Sequence, residues 1–286
     1  MFGDLTRVGA NFHAMEAWSN LKKVNGDIGQ IQSRLSSGKR INSAEDDTSG
    51  YALSKHLESR TRGLSQALDN VGTAKNVLNI AEGGYQSQMT ILQTIKEKLT
   101  QAADGSLSDA QRGAIGDQIN TLLTEFNDIN SDTKFNDNSL MEDGEMTFQV
   151  GEGSNDTLTV TFDHSTRIDV GESDTDVNLD NIVNGSSWAT LQEEDARAGI
   201  ETADEAIKAL AKSIQSIGDF NARLSSKEES LSLAISNTEA TRSRIEDADF
   251  AKEQMNMMKL QILQQTSVSS FSQANSAPQM VLSLFR

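Results

Sequence analysis

No cysteine occurs in this chain, which excludes disulfides, thiol chemistry and thiolate metal sites while leaving the redox compartment open. Proline is almost as scarce. The single one, Pro278, leaves the preceding sequence free to form long uninterrupted helices, because an internal proline breaks or kinks one. Aromatic residues make up 5% and apolar residues 36% of the 286 positions, so a large globular core is not expected. No run reaches the roughly 18 consecutive apolar residues of a membrane-spanning helix. Residues 1–30 are amphipathic and lack a continuous apolar stretch followed by a small-residue cleavage site, so no cleaved secretory signal is expected.

Enzymatic signatures are also missing. The three histidines, His13, His56 and His164, form no H-E-x-x-H pair. There is no phosphate-binding G-x-x-x-x-G-K-[ST] loop, no Rossmann glycine pattern and no G-x-S-x-G elbow. Gly83-Gly84 lies inside a helical stripe and follows no strand. Glu45, Asp46 and Asp47 have no visible acid/base partner and read as a polar helix start after Asn42-Ser43, a good capping position. The chain is expected to be no enzyme and to bind no cofactor or metal.

Charge is plentiful and uneven. The net charge is −17. Between Asn136 and Asp180 stand twelve acidic residues and one basic residue, Arg167, or −11 over 45 positions. Such a surface disfavours nucleic acid and anionic membranes. It reads as solvated and repulsive. A calcium site on Asp174, Asp176 and Asp180 is the rival reading, but their spacing does not match the EF-hand loop.

What the chain has in abundance is helical periodicity. One stripe runs Ala10, Ala14, Ala17, Leu21, Val24, Ile28, Ile31, Leu35. A second runs from Leu57 through Leu64, Ala67, Val71, Ala74, Leu78, Ala81, Tyr85, Leu92 and Ile95 to Leu99, with only Arg60 and Gln88 polar. A third is Ile115, Ile119, Leu122, Phe126, Ile129. The fourth runs from Ile200 through Ala203, Ile207, Leu210, Ile214, Ile217, Leu224, Leu231 and Ile235 to Ile245, with Asn221, Glu228, Thr238 and Arg242 polar. Spacings of 3 and 4 sustained at this length argue coiled-coil packing. At about 1.5 Å per residue, the second and fourth stripes extend about 65 and 70 Å, so each can bury the other. The third is expected to start near Ser108 and fold back through Ala103-Asp-Gly-Ser106. Candidate rod-core residues are Leu57, Leu64, Val71, Leu78, Leu92, Leu99, Ile207, Leu210, Ile214, Leu224, Leu231 and Ile235.

The middle changes period. Met146–Val150 and Thr157–Phe162 alternate apolar and polar residues around Gly151-Glu-Gly-Ser-Asn-Asp156, predicting a β-hairpin with further extended chain over 168–183. After Arg244 a helical pattern resumes as Ala248, Ala251, Met255, Met258, Ile262, and Val281, Leu282, Leu284 and Phe285 crowd the last turns. The methionines read as core packing. Apolar stripes at both chain ends are surfaces that each other, or other copies, must bury.

Several blocks together resemble bacterial flagellin, the subunit of the flagellar filament. At the front they are Leu35-Ser-Ser-Gly-Lys-Arg-Ile-Asn-Ser-Ala-Glu-Asp-Asp47, Gly50, Gly63-Leu64, Asn70, Ala81-Glu-Gly83, Phe126-Asn127 and Phe135-Asn136, with Phe148-Gln-Val-Gly151 in the hairpin. At the back they are Ser243-Arg-Ile-Glu-Asp-Ala-Asp-Phe250, Gln261-Ile-Leu-Gln-Gln265, Gln273-Ala-Asn275 and Pro278 to Arg286. About two thirds of the chain is covered, and the start, Met1 to Gly9, departs from the usual pattern.

The expected fold is mainly α: an elongated antiparallel helical coiled-coil rod with a small β-hairpin, plus paired terminal helices. The resemblance implies an inner terminal-helix domain over 1–45 and 246–286. A rod domain over 46–245 would carry the hairpin at about 146–162 and an acidic exposed segment at about 163–190. Leu21, Val24, Ile28, Ile31, Leu35, Met255, Met258, Ile262, Val281, Leu282, Leu284 and Phe285 are the candidate filament-assembly residues. The resemblance further implies a homopolymer in the extracellular flagellar filament, export through the flagellar secretion channel, an export chaperone on the carboxyl-terminal segment, and cap and hook-associated partners. Many flagellins present a segment close to Leu-Gln-Arg-x-Arg-Glu-Leu to a Toll-like receptor. The matching stretch here, Leu92-Gln-Thr-Ile-Lys-Glu-Lys98, departs at Thr94, Lys96 and Lys98.

Alternatives are a hook-filament junction protein, a secreted coiled-coil adhesin, and a secreted enzyme on the same frame. The ending Gln-Met-Val-Leu-Ser-Leu-Phe-Arg favours flagellin, and the central segment has neither the length nor the H-E-x-x-H for the enzyme.

Overall fold

The computed structural model describes residues 11–142, 144–166, 170–171, 177–180 and 188–284. The chain is mainly α-helical. Its helices are α1 (Phe12–Ser37), α2 (Thr48–Ala102), α3 (Asp109–Asp132), α4 (Glu193–Glu246) and α5 (Phe250–Leu284). The chain divides into two compact units: residues 1–61 with 236–286, and residues 62–235.

In the 62–235 unit the long stripe of α2 is the core. Leu64, Ala67, Val71, Ala74, Leu78, Ala81, Tyr85, Leu92, Ile95 and Leu99 are all buried. α4 runs antiparallel to it: Lys75 pairs with Glu228 at 2.8 Å, Asn221 bonds Asn79, and Lys96 pairs with Asp204. Leu210, Ile217, Leu224 and Leu231 are buried, while Ile200, Ile207, Ile214 and Ile235 are half-buried against the same core.

α3 folds back after the turn at 103–108. Ser108 and Gln111 form a reciprocal capping box, which satisfies two of the otherwise unpartnered donors at a helix start. Buried Arg112 donates to the Ala102, Asp104 and Leu107 carbonyls, so one guanidinium closes the end of α2 and the turn together. The buried face of α3 is Ile115, Ile119, Leu123 and Phe126. Leu123, rather than the expected Leu122, points inward, one residue off the strict heptad. Gly113 and Gly116 let the backbone of a 3-10 turn, Trp188–Thr190, lie directly on the helix. A Cβ at Gly116 would overlap the Trp188 carbonyl oxygen.

The predicted hairpin is present as β3 (Gly144–Gln149) and β4 (Thr157–Phe162), antiparallel, with Phe148 opposite Leu158 and Met146 opposite Val160. Alternation sends Leu158, Val160 and Phe162 into the core and the intervening threonines to solvent. Asn70 of α2 donates to the Gln149 carbonyl at 3.1 Å, tying the hairpin to the helix. Two short pairs flank it: β1 (Lys134–Phe135) with β2 (Asn138–Ser139), and β5 (His164–Ser165) with β6 (Val170–Gly171). The first turns through Asn136 and Asp137, both at positive φ, as a two-residue hairpin turn of this hand requires.

The polar Gln88 in the long stripe has a function in packing. It is fully buried and donates to the Phe126 and Ser165 carbonyls at 2.9 and 3.0 Å, and Ser165 donates back to it. Asn130 bonds the Met141 and Ser165 carbonyls. Two buried amides thus tie α2 and α3 to the backbone around Met141 and Ser165.

Candidate assembly surface

The 1–61/236–286 unit is built around α1 and α5, which pack antiparallel. Asn11 caps α1 by accepting from Ala14 N–H at 3.1 Å, and its amide donates to the Ala274 carbonyl at 2.8 Å. Gln264 bonds Asn25 at 2.7 Å, and Arg34 lies 3.7 Å from Glu253. The first stripe faces α5: Ala14 and Ile31 are buried, and Leu21, Val24, Ile28 and Leu35 are half-buried. Ala10 lies outside the described residues.

The two quoted terminal motifs meet. α1 ends at Gly38, whose φ of +74° is the left-handed conformation that favours glycine, and its N–H returns to the Arg34 carbonyl. Beyond it the backbone pairs with the end of α4: Ala248 N–H donates to the Gly38 carbonyl at 2.9 Å, and Arg40 N–H to the Glu246 carbonyl at 2.6 Å. Glu246 is the hub. Its carboxylate is buried and accepts from Lys39 and, at 2.7 Å, from Ser54, itself buried. Burial pushes this carboxyl up, but the bonds from Lys39 and Ser54 and the charges of Lys39 and Arg242 outweigh it and hold its pKa below the ordinary 4.5.

The acidic trio is structural too. Asp46 accepts from Gln30 at 2.7 Å and from Asn42 and Ser43 N–H at 3.0 and 3.1 Å. The Gln30 bond first, then those amides, lower its pKa from 3.8 to about 2, against an opposing effect of burial. The helix cap itself is Asp47, which accepts from Gly50 N–H at 2.9 Å. The expected cap at Asn42-Ser43 is corrected, since those residues donate to Asp46 instead.

α5 departs from the reading of its methionines. Met255 is 60% exposed, Met258 56% and Ile262 65%, so they are not core packing. The covered residues of α5 are Glu253, Asn256, Met257, Leu260, Gln264, Ser267, Phe271 and Ala274 instead. At 100° per residue, Met255, Met258 and Ile262 lie about half a turn away from Glu253 and Leu260. α5 therefore turns polar as well as apolar side chains to α1 and keeps an apolar stripe outward. α1 does likewise at its start, where Phe12, Met15 and Trp18 are 53%, 63% and 57% exposed. The missed signal was compositional: Phe12, Met15 and Trp18 fall beside the Ala14-Ala17 stripe rather than on it. Val281, Leu282 and Leu284 lie on the α5 backbone with side chains outside the described residues, and Phe285 lies outside them altogether.

In the other unit, Leu64, Val71, Leu78, Leu92, Leu99, Leu210, Leu224 and Leu231 are buried, and Leu57, at the end of the terminal unit, is half-buried. Thr94 donates to the Thr90 carbonyl at 2.9 Å, Lys96 is paired with Asp204, and Lys98 is half-buried. Among the described residues no cluster of three or more His, Cys, Asp or Glu could hold a metal, and no helix is long and apolar enough to cross a membrane. Asp174 and Asp176 of the rival calcium reading lie outside the described residues. In the 1–61/236–286 unit, a cleft of about 300 Å³ between α1 and α5 is lined by polar residues such as Asp27, Arg34 and Glu253 and by Ile31, Leu260 and Leu263.

The bacterial flagellin N-terminal helical region matches residues 8–145, and the C-terminal helical region matches 200–285. A flagellin of Halalkalibacterium halodurans is 32% identical over 277 residues, spanning 96% of this chain and 98% of that one. The chain belongs to the bacterial flagellin family. A flagellar filament 33 kDa core protein of Treponema phagedenis is 33% identical over 285 residues, again 96% and 98% of the two chains. A solved structure described as a flagellar hook-associated protein from Vibrio parahaemolyticus shares the fold, with a TM-score of 0.59 at 14% identity over 71% of this chain and 100% of that one. As a flagellin the chain is a structural subunit of the extracellular flagellar filament, polymerising with copies of itself, and not an enzyme. The junction-protein alternative is not favoured.

Proposed function

We propose that the subunit polymerises chiefly through the outward apolar stripes of α1 and α5. The observation that carries this is the outward apolar stripe of α5: Met255, Met258 and Ile262 face solvent, while Glu253, Leu260 and Gln264 face α1. An exposed apolar patch of this kind marks an interaction site, and in a family of filament subunits the partner it fits is another copy. Residues 1–45 and 246–286 then act as the inner, copy-binding domain and 46–245 as a rod held by its own core. Val281, Leu282, Leu284 and Phe285, the apolar end of the sequence, are assigned to assembly on their sequence pattern alone. The export chaperone on the carboxyl-terminal segment, the cap and the hook-associated proteins meet the chain as they meet other flagellins, and the cysteine-free chain suits export in an unfolded state.

The test is a Met255→Ser/Met258→Ser/Ile262→Ser variant. Each apolar side chain fully buried in the filament contributes about 1.5–3 kcal/mol. With about 1.4 kcal/mol per tenfold, even half-burial of all three raises the critical concentration of seeded polymerisation at least about fortyfold. Subunit stability should change by only about 0.5 kcal/mol, because the sites are exposed before assembly. Sedimentation and electron microscopy read the outcome, and filaments forming at the wild-type concentration would refute the assignment.

A further inference from the structure

The outward stripes are unusual in carrying thioethers. Met15, Met255 and Met258 are 63%, 60% and 56% exposed, whereas Met141 is fully buried and Met89, Met146 and Met257 are half-buried. We propose that Met15, on α1, and Met255 and Met258, on α5, are separate modification sites for hydrogen peroxide, and that their oxidation in the free subunit blocks its entry into the filament while assembly shields them. This rests on the assembly face assigned above.

The chemistry is complete with peroxide as the only co-reactant. The thioether sulfur attacks one peroxide oxygen, the O–O bond breaks and an S–O bond forms. The hydroxide that leaves takes the proton of the S–OH group, giving sulfoxide and water. Sulfur is oxidised by two electrons and peroxide is reduced to water. Accessibility sets which methionines react, and the three are the most exposed of those described. The product is a strongly polar S=O group one helical turn from exposed Trp18 on α1, and one turn from exposed Ile262 on α5. A second copy covering that surface must strip water from the new oxygen without offering it a donor. Leucine at these positions would supply similar apolar volume and no oxidisable sulfur, so leucine variants separate the thioether from the face.

The experiment compares full-length wild type with a Met15→Leu/Met255→Leu/Met258→Leu variant, each treated as free subunit with hydrogen peroxide, then seeded. Peptide mass spectrometry locates the added oxygens. Wild type should gain oxygen at the three sites and show at least a tenfold rise in critical concentration. The variant should polymerise like untreated wild type before and after peroxide. Wild-type filaments treated in the same way should gain oxygen at these sites at least tenfold more slowly than free subunits. A pair of methionine sulfoxide reductases, one for each epimer, should restore polymerisation. Normal polymerisation of wild type oxidised at all three sites, loss of polymerisation in the peroxide-treated variant, or equal oxidation rates in filament and subunit would overturn the proposal. The serine triple variant keeps the two ideas apart. If it polymerises normally, the face assignment fails. If it does not polymerise while oxidised wild type does, only the oxidation proposal fails.

Discussion

Replacing Glu246 by alanine should loosen the 1–61/236–286 unit by about 2–4 kcal/mol. The carboxylate accepts two charge-assisted bonds, from Lys39 and from Ser54 at 2.7 Å, a class worth about 1.5–3 kcal/mol each. The two partners are unequal. The Lys39 side chain is 43% exposed and recovers water when its partner goes, so its share is small, as for other surface ion pairs. Ser54 is 1% exposed and loses its acceptor in the interior, a penalty of about 1–3 kcal/mol. Removing buried side-chain volume adds to this. Glu246→Gln keeps an acceptor for Ser54 and should lose roughly half as much. Glu239→Ala, which removes a pair with Arg242 from a 40%-exposed carboxylate, should stay within about 0.5 kcal/mol. Acid should mimic the alanine variant. The folded pKa of Glu246 lies below its unfolded value, so its stabilisation is complete above pH 4.5 and is lost as pH falls through the folded value. Asp46, at about 2, follows the same rule lower down. Urea unfolding of the monomer at pH 7 and pH 3, with amide exchange of residues 38–54 and 243–253, measures the effect. If Glu246→Ala matches Glu239→Ala at pH 7, the hub assignment is wrong.

Gly116→Ala should destabilise the 62–235 unit by about 1–3 kcal/mol despite a gain of up to about 1 kcal/mol in helix propensity, because its Cβ would displace the Trp188 carbonyl and lift buried Trp188 and Leu191; Gly218→Ala, with nothing within 4 Å of its Cβ, should be neutral or stabilising, and thermal unfolding of the two variants decides between them. Purified monomer should activate a Toll-like receptor reporter weakly, since Thr94 and Lys98 stand where the family motif has arginine and leucine and Lys96 is tied to Asp204; a strong response at low concentration would refute this.

The sequence was most readable where burial and period coincide. Leu64 to Leu99 could be assigned to the core because one stripe of α2 is covered along its length by the same chain, and the alternation of Thr157–Phe162 showed its inward side for the same reason. Legibility failed where period says that a stripe exists but not what covers it. Met255, Met258 and Ile262 have the spacing of a core seam, yet Glu253, Asn256 and Leu260 turn to α1. The hub at Glu246 left no periodic trace, because its partners, Lys39 and Ser54, come from positions about 200 residues away in sequence. Gln88 looked like a flaw in the stripe. Its reason, the Phe126 and Ser165 carbonyls that it reaches, is brought within range only in the folded chain.

The distribution of apolar surface divides the labour between the two units. Of the twelve most exposed large hydrophobic residues among those described, ten fall in the 1–61/236–286 unit, and only Ile80 and Leu233 fall in the other. The buried side is the reverse. The 62–235 unit holds the contiguous core from Leu64 to Leu231, while the terminal unit buries only Ala14, Ile31 and Ile41 among its described apolar residues. A unit with so little full burial is held by the half-buried apolar side chains between α1 and α5, by polar contacts such as the Glu246 hub, and by the copies that cover its outside. In a filament subunit that outside is where neighbouring copies add burial, and anything that binds the folded state stabilises it. The same outward stripe that leaves the terminal unit poorly covered alone is thus the surface from which polymerisation can draw its hydrophobic driving force.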